Sequence, residues 1–431
     1  MLMNKGRSVE ISVFYNKKSL NGDKPIEAKE LTYNDVAAGN CDSMEISLNA
    51  SDAKWLNSWL PEAGASLKAS IMGNDWETPG SKRQLPCGLF VLDDFGYSEN
   101  PDTLRLMGVS KPADTDFSEQ DREYIWKETS IKRIGRAIAD RYNLGFRYDA
   151  EDINIDTDEQ NGPDSSYLNG LCRLYGLALK IYAKELWIYD RERYKQKRPI
   201  KTYKREGDIK QGSFSYETSL MGKVTGGVFA YTDPEKDQDI YCQIGGGKKI
   251  KNISRRASST QDAAIQLCAE INNANHGLTK IQFSVDGEFE TCAGNNVELS
   301  GYGKLDGIYF VDEITHRVSV SSGFISTLQC SRVEKGFSQK DVGGPPQELT
   351  PKQENSGELK QGTAIKLTKA NLYVASTSKK RATRVSGTYY LYDGELIAGR
   401  YRITNTPSRC GKKPVGHNVT GWVDKEACVI A

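Results

Sequence analysis

The chain has 431 residues, enough for about three domains of ordinary size. Hydrophobic residues make up 38%, which suffices for real cores, and the 27% that are charged cancel to a formal +1. That balance gives no chain-wide field toward nucleic acid or an anionic membrane, and no window reaches the ~18 apolar residues of a membrane span.

The first ten residues are polar and charged, without the apolar stretch of a secretory signal. The nine cysteines (Cys41, Cys87, Cys172, Cys242, Cys268, Cys292, Cys330, Cys410 and Cys428) are scattered and include no C-x-x-C pair. They predict reduced core thiols of a protein made in a cytosol, rather than a disulfide framework or a zinc site.

Residues 1–114 read as strands. Val9–Val13, Met44–Leu48 and Leu67–Ile71 alternate apolar and polar residues with period two, the mark of half-buried strands. Gly88–Asp94 predicts one more, ended by a turn. Residues 115–209 read as a small α+β insert. Ser130 caps a predicted helix through Ile131, Ile134, Ala137 and Ile138, which recur at three and four, with Gly145 as the stop. A second helix runs from Ser165-Ser166 to Gly176, and strands follow at 146–148, 178–182 and 185–189.

Residues 210–335 return to strands at 280–285, 296–299, 308–312 and 324–330, with one helix after Thr260 that Gly277 closes. Residues 336–361 carry Gly343-Gly344-Pro345-Pro346 among polar residues and predict a linker. Residues 362–431 hold short strands with Gly-rich turns, which suit a small β-barrel. The fold class is thus mainly β: two barrel-like domains, an α+β insert and a small C-terminal barrel.

Candidate chemistry is thin. His276, His316 and His417 lie far apart and form no H-E-x-x-H spacing. Gly64-Ala65-Ser66 and Gly108-Val109-Ser110 lack the closing glycine of a nucleophile elbow. Cys410 and His417 share one short module, but Cys410 opens no helix that would depress its pKa. The stretch Asp152–Asp158 has Thr157 and Pro163 where a calcium loop needs Gly and Glu, so it reads as a solvated strand end. Gly245–Lys249 and Gly301-Tyr302-Gly303 read as turns. The basic runs 248–251, 255–256, 379–381 and 412–413 read first as solvated faces, and next as contacts to phosphate or a teichoic-acid-like polymer. Catalytic, cofactor and metal residues are expected to be none. Tyr373, Tyr390 and Trp422 are the candidate ligand contacts of the last module, as rings that could stack on sugars or peptides.

Two stretches carry a resemblance. Asp42-Ser43-Met44-Glu45-Ile46-Ser47-Leu48, followed by Trp55, Trp59 and Pro61, resembles the "D-S-x-E-I-x-L … W-x-x-x-W-x-P" opening of the phage late control protein D family. The helix near 260–277, then Gly301-Tyr302-Gly303-Lys304-Leu305-Asp306-Gly307, Tyr309, Val311 and His316, is similar to that family's C-terminal barrel passage. Together they span about residues 8–335.

The resemblance implies the baseplate hub of a contractile tail. Such a hub is a homotrimer whose two barrel-like domains per subunit make a pseudo-sixfold face. It joins the hexameric tail tube to the central spike, alongside other baseplate proteins and the tape measure. It implies assembly into a virion tail, tailocin or injection device in a bacterial cytoplasm, with no enzymatic duty. Gly387–Tyr390, Gly399–Thr404 and Thr420–Val423 make the last module resemble bacterial SH3-like domains, which implies binding of cell wall or partner peptides. Alternatives are a cell-wall-binding protein acting through that module, and a peptidoglycan hydrolase.

Overall fold

A computed structural model of the chain describes residues 6–20, 28–51, 53–57, 60–62, 64–112, 116–219, 221–234, 238–343 and 359–430. Trp59, and residues 344–358 of the expected linker, lie outside the described residues. The chain forms two compact units, Met1–Gly344 and Pro345–Ala431.

The first unit is built on one 13-stranded sheet. Its alternating segments fold as the period-two pattern predicts. Ser43–Asn49 buries every second residue, with Met44, Ile46 and Leu48 inward. Seven strands from residues 8–109 join it at one side: Ser8–Tyr15, Lys18–Ser19, Ala28–Val36, Ser43–Asn49, Ser66–Asn74, Lys82–Ser98 and Thr103–Val109. Six from residues 201–332 join at the other. The expected strand at 88–94 does not end in a turn there. It runs on to Ser98, with a register shift between Leu92 and Asp94.

The regions 1–114 and 210–335 are therefore continuous rather than side by side. Strand Gly307–Ser319 pairs antiparallel with Ala28–Val36, placing His316 opposite Tyr33. Each half curls around its own core. The first core includes Leu31, Ile46, Leu67, Ile71, Phe90 and Leu106, and it also takes Val318 and Phe324 from the hairpin of the other half. The second is built on Tyr203, Phe283, Val297, Tyr309, Ile314 and Leu328. Trp76, between Ser66–Asn74 and Lys82–Ser98, closes the first barrel against the second half. Its indole N–H donates to the Gly287 carbonyl at 3.2 Å, and its ring meets Phe289 and Phe324.

The insert follows its sequence signals. Helix Ile131–Arg141 starts at Ser130, whose hydroxyl accepts the Arg133 N–H, and Asp152 accepts both the Ser130 hydroxyl and the Lys132 N–H. The helix ends at Tyr142, and Gly145 opens a strand instead of stopping the helix. Helix Asp164–Leu174 packs with it over a three-stranded sheet. Helix Thr260–Asn275, capped by Ser259, covers a separate four-stranded sheet of Gly226–Asp233, Gln238–Gly245, Ile250–Ile253 and Val342–Gly343. The start of the expected linker is thus folded. Phe337 exchanges backbone hydrogen bonds with the Asn272 side chain, and Phe337 and Val342 pack on that core, giving this polar stretch two apolar anchors.

In the second unit, Ala364–Tyr373, Thr383–Ile397, Arg400–Thr404 and Gly421–Asp424 pair in a closed circuit, a small four-stranded barrel. Ile365, Leu367, Leu391, Ile403 and Val423 fill it.

Candidate functional site

Tyr373 and Trp422 are brought together on the outer face of the small barrel. They face one another across adjacent strands, while their neighbours Leu372 and Val423 point into the core. Each ring carries a guanidinium: Arg400 lies 3.3 Å from the Tyr373 centroid and Arg402 lies 4.9 Å from that of Trp422. Arg400 also binds Asp424 at 2.8 Å, and Arg402 binds Asp393 at 2.8 Å. Tyr390 sits elsewhere on the barrel, opposite Ala364 and Thr404.

The histidines do not converge. His417 is exposed on the short helix Val415–Asn418, and no hydrogen bond joins it to Cys410 among the described residues. Burial pushes the Cys410 thiol up, the wrong direction for a nucleophile. His276 lines a cleft of about 430 Å³ with Asp312, Ser331, Arg191, Lys280 and Glu217. Its Nε2 lies 2.8 Å from Asp312 Oδ1, and the Ser331 hydroxyl donates to the other oxygen of the same carboxylate. Imidazole and hydroxyl are therefore held on separate oxygens of one carboxylate, and no hydrogen bond joins the two to each other among the described residues, as a histidine-activated nucleophile would need. The Asp152–Asp158 stretch is spent on structure, since Asp152 caps a helix and Asp158 accepts the Tyr167 hydroxyl at 2.8 Å.

Sequence patterns missed a buried polar seam where the two halves and the insert meet. Lys180, inside the apolar insert strand Leu177–Tyr182, reaches Asp35, Asp42 (3.1 Å) and the Val36 carbonyl (2.7 Å). All three charged groups are at most 7% exposed, so each must be paired. Asp42 also accepts the Tyr33 hydroxyl and the Val36 N–H, and Asp35 accepts the Ala293 N–H at 2.8 Å. One ammonium serves two carboxylates. Burial therefore raises Asp42 to about 6, and although burial pulls Lys180 down, the two carboxylates outweigh it and leave it raised.

The seam continues through the strand pair. Tyr33 stacks on His316, whose Nδ1 meets the Ser326 hydroxyl at 2.9 Å, and Ser326 accepts the Glu288 N–H. Burial would raise the Glu288 carboxyl, but hydrogen bonds from Lys201 and Tyr203 outweigh it and hold the carboxyl down. Burial pushes His316 down to about 4, so it is neutral near pH 7. The seam pairs its buried charges with one another and reads as a structural joint rather than a poised acid or base. One signal was present in the sequence: a lone lysine within Ala178-Leu179-Lys180-Ile181-Tyr182 requires a buried partner.

No protein-family model matches the chain, and no curated protein matches it. Solved structures do. It is similar to a tail protein from Neisseria meningitidis MC58, at 13% identity and a TM-score of 0.57, over 78% of this chain and 99% of that one. It is similar as well to the 43 kDa tail protein of prophage MuSo2 from Shewanella oneidensis, at 12% identity and 0.56, over 75% and 98%. At these identities the likeness is one of fold: the chain has the mainly β architecture of these two tail proteins along nearly their whole length.

Proposed function

We propose that the chain is the structural hub of a phage tail or phage-tail-like particle, a homotrimer that adapts a sixfold tail tube to a threefold central spike. One observation carries this reading: a single sheet wraps two barrel-like cores and shares a hairpin between them. Three such chains in a closed ring present six barrels, which is what a three-to-six adaptor needs. An adaptor must also hold its two barrels at one angle, and the buried seam through Lys180, Tyr33 and His316 is suited to that. The resemblance to late control protein D proteins and the fold shared with two tail proteins support the same reading, with tube, spike, other baseplate proteins and tape measure as partners. No enzymatic step belongs to it.

The test is mass photometry of the purified chain, alone and with its cognate spike and tube proteins. The expected particle has three times the 47.9 kDa mass, with a threefold ring in negative stain. A monomer in the presence of both partners would sink the proposal. A second role, cell-wall binding through the C-terminal module, is favoured by the excess of positive charge on that module.

A further inference from the structure

The near-neutral charge of the chain hides a division. Residues 359–431 hold thirteen Lys and Arg against four Asp and Glu, an excess of nine positive charges. Since the whole chain is +1, residues 1–358 carry an excess of eight negative charges. In the small barrel two of the four carboxylates, Asp393 and Asp424, are already held by Arg402 and Arg400. Lys366, Lys369, Lys379, Lys380, Arg381, Arg384, Arg409, Lys412, Lys413 and Lys425 are all exposed, and none is in an ion pair with a described residue. Concentrating that much like charge on about 70 residues destabilises the module unless an anion offsets it.

The basic loop is also built rather than loose. Arg400 lies on Tyr373 and donates to the carbonyls of Ser376 (3.1 Å) and Ser378 (2.8 Å), fixing the turn that presents Lys379-Lys380-Arg381. Arg409, Lys412 and Lys413 are presented by a second loop, which the Tyr392 hydroxyl holds through the Lys412 carbonyl.

We propose that the C-terminal barrel binds a linear polyol-phosphate polymer of the cell wall through its phosphates. This rests on the cell-wall reading of the module and not on the hub reading. Phosphate chemistry follows from the many lysines and arginines, which suit a chain of singly charged phosphodiesters. A polymer without bases or stacked rings follows from the aromatics: Tyr373 and Trp422 are half-buried and each already carries a guanidinium, so they offer little face for bases to stack on. The barrel also has no helix longer than four described residues with which to enter a DNA groove.

The experiment measures binding of the full chain to soluble poly(glycerol phosphate), to a random DNA duplex, to intact cell walls, and to walls stripped of phosphate polymer. The chain is expected to bind the polymer and the intact walls, to release both as salt rises, and to lose at least tenfold on stripped walls. The triple variant K379Q/K380Q/R381Q is expected to flatten the salt slope by about 2. A matched variant of the other unit, K68Q/K82Q/K127Q, should bind as the parent does. Equal binding to stripped walls overturns the polymer and leaves the wall reading standing; no binding to any wall removes both. Tighter binding to the duplex than to the polymer, at equal phosphate and salt, reassigns the module to nucleic acid. A triple variant that melts like the parent and binds unchanged overturns the role of the loop.

Discussion

Tyr33 and His316 face one another across the strand pair that joins the two barrel-like halves, their rings 5.7 Å apart and 13° from parallel. The stack is buried, and His316 is held neutral by that burial.

This makes the joint sensitive to acid. In the folded chain His316 takes up a proton only near pH 4, whereas an unfolded imidazole does so near 6.5. Its contribution is full above pH 6.5 and is lost as the pH falls through 4, about 3 kcal/mol in all. Asp42 works the other way, since its raised carboxyl keeps a proton up to about 6 in the folded state. A comparison with His316→Gln isolates the imidazole. Over pH 7 to 4, the parent should lose about 3 kcal/mol more than the variant in urea-unfolding midpoints. Parallel traces would show that His316 does not titrate as its burial requires.

Lys180 holds the insert to the first barrel through two buried carboxylates. Lys180→Met removes the only cation reaching Asp35 and Asp42 among the described residues and should cost about 3–5 kcal/mol. Adding Asp35→Asn and Asp42→Asn removes the stranded charge and should restore part of that loss. The single variant should also be less impaired at pH 5 than at pH 8, because acid neutralises the stranded carboxylates. Melting curves at the two pH values check both points, and a single variant as stable as the parent would mean the cluster is not what fixes the insert.

The same residues explain what the sequence could and could not reveal. Ser43–Asn49 was legible because Met44, Ile46 and Leu48 alternate cleanly inward. Ala28–Val36 was not, although it buries Leu31, Tyr33 and Asp35 with the same period. Its third inward position is a carboxylate, and only the distant Lys180 makes that affordable. The continuity of the sheet was hidden for another reason, since an edge pairing between residues almost 300 positions apart leaves no local pattern. Caps and helices were legible, as Ser130 shows, because their signals lie within one turn. The charge of the small barrel was readable in principle, but averaging over the whole chain cancelled it.

Trp76 ties the first barrel to the second by one hydrogen bond and two ring contacts. Trp76→Phe should lose chiefly the bond to Gly287, about 1 kcal/mol. Trp76→Ala should lose the packing too, about 2–3 kcal/mol for a partly buried ring. The larger variant should also raise amide hydrogen exchange in 286–289 and 323–326 before the insert is affected. Uniform exchange changes across the unit would mean that Trp76 is not specific to this junction.

Two helix glycines in the insert should respond to alanine with opposite signs. Alanine is favoured over glycine inside a helix by about 1 kcal/mol when nothing crowds it. At Gly170, in helix Asp164–Leu174, an added Cβ meets nothing within 4 Å, so Gly170→Ala should raise stability by about 0.5–1 kcal/mol. At Gly135, in helix Ile131–Arg141, the Cβ would lie 2.8 Å from Ile188 Cδ1 and 2.8 Å from the Phe146 ring. Those atoms belong to the sheet beneath the helix, and Ile188 is fully buried. The helix would have to lift or the core repack, at a cost of about 1–3 kcal/mol that exceeds the gain in helix propensity. Gly135→Ala should therefore melt lower than the parent and Gly170→Ala higher. A stabilising Gly135→Ala would mean the helix does not sit as close to Ile188 and Phe146 as the packing requires.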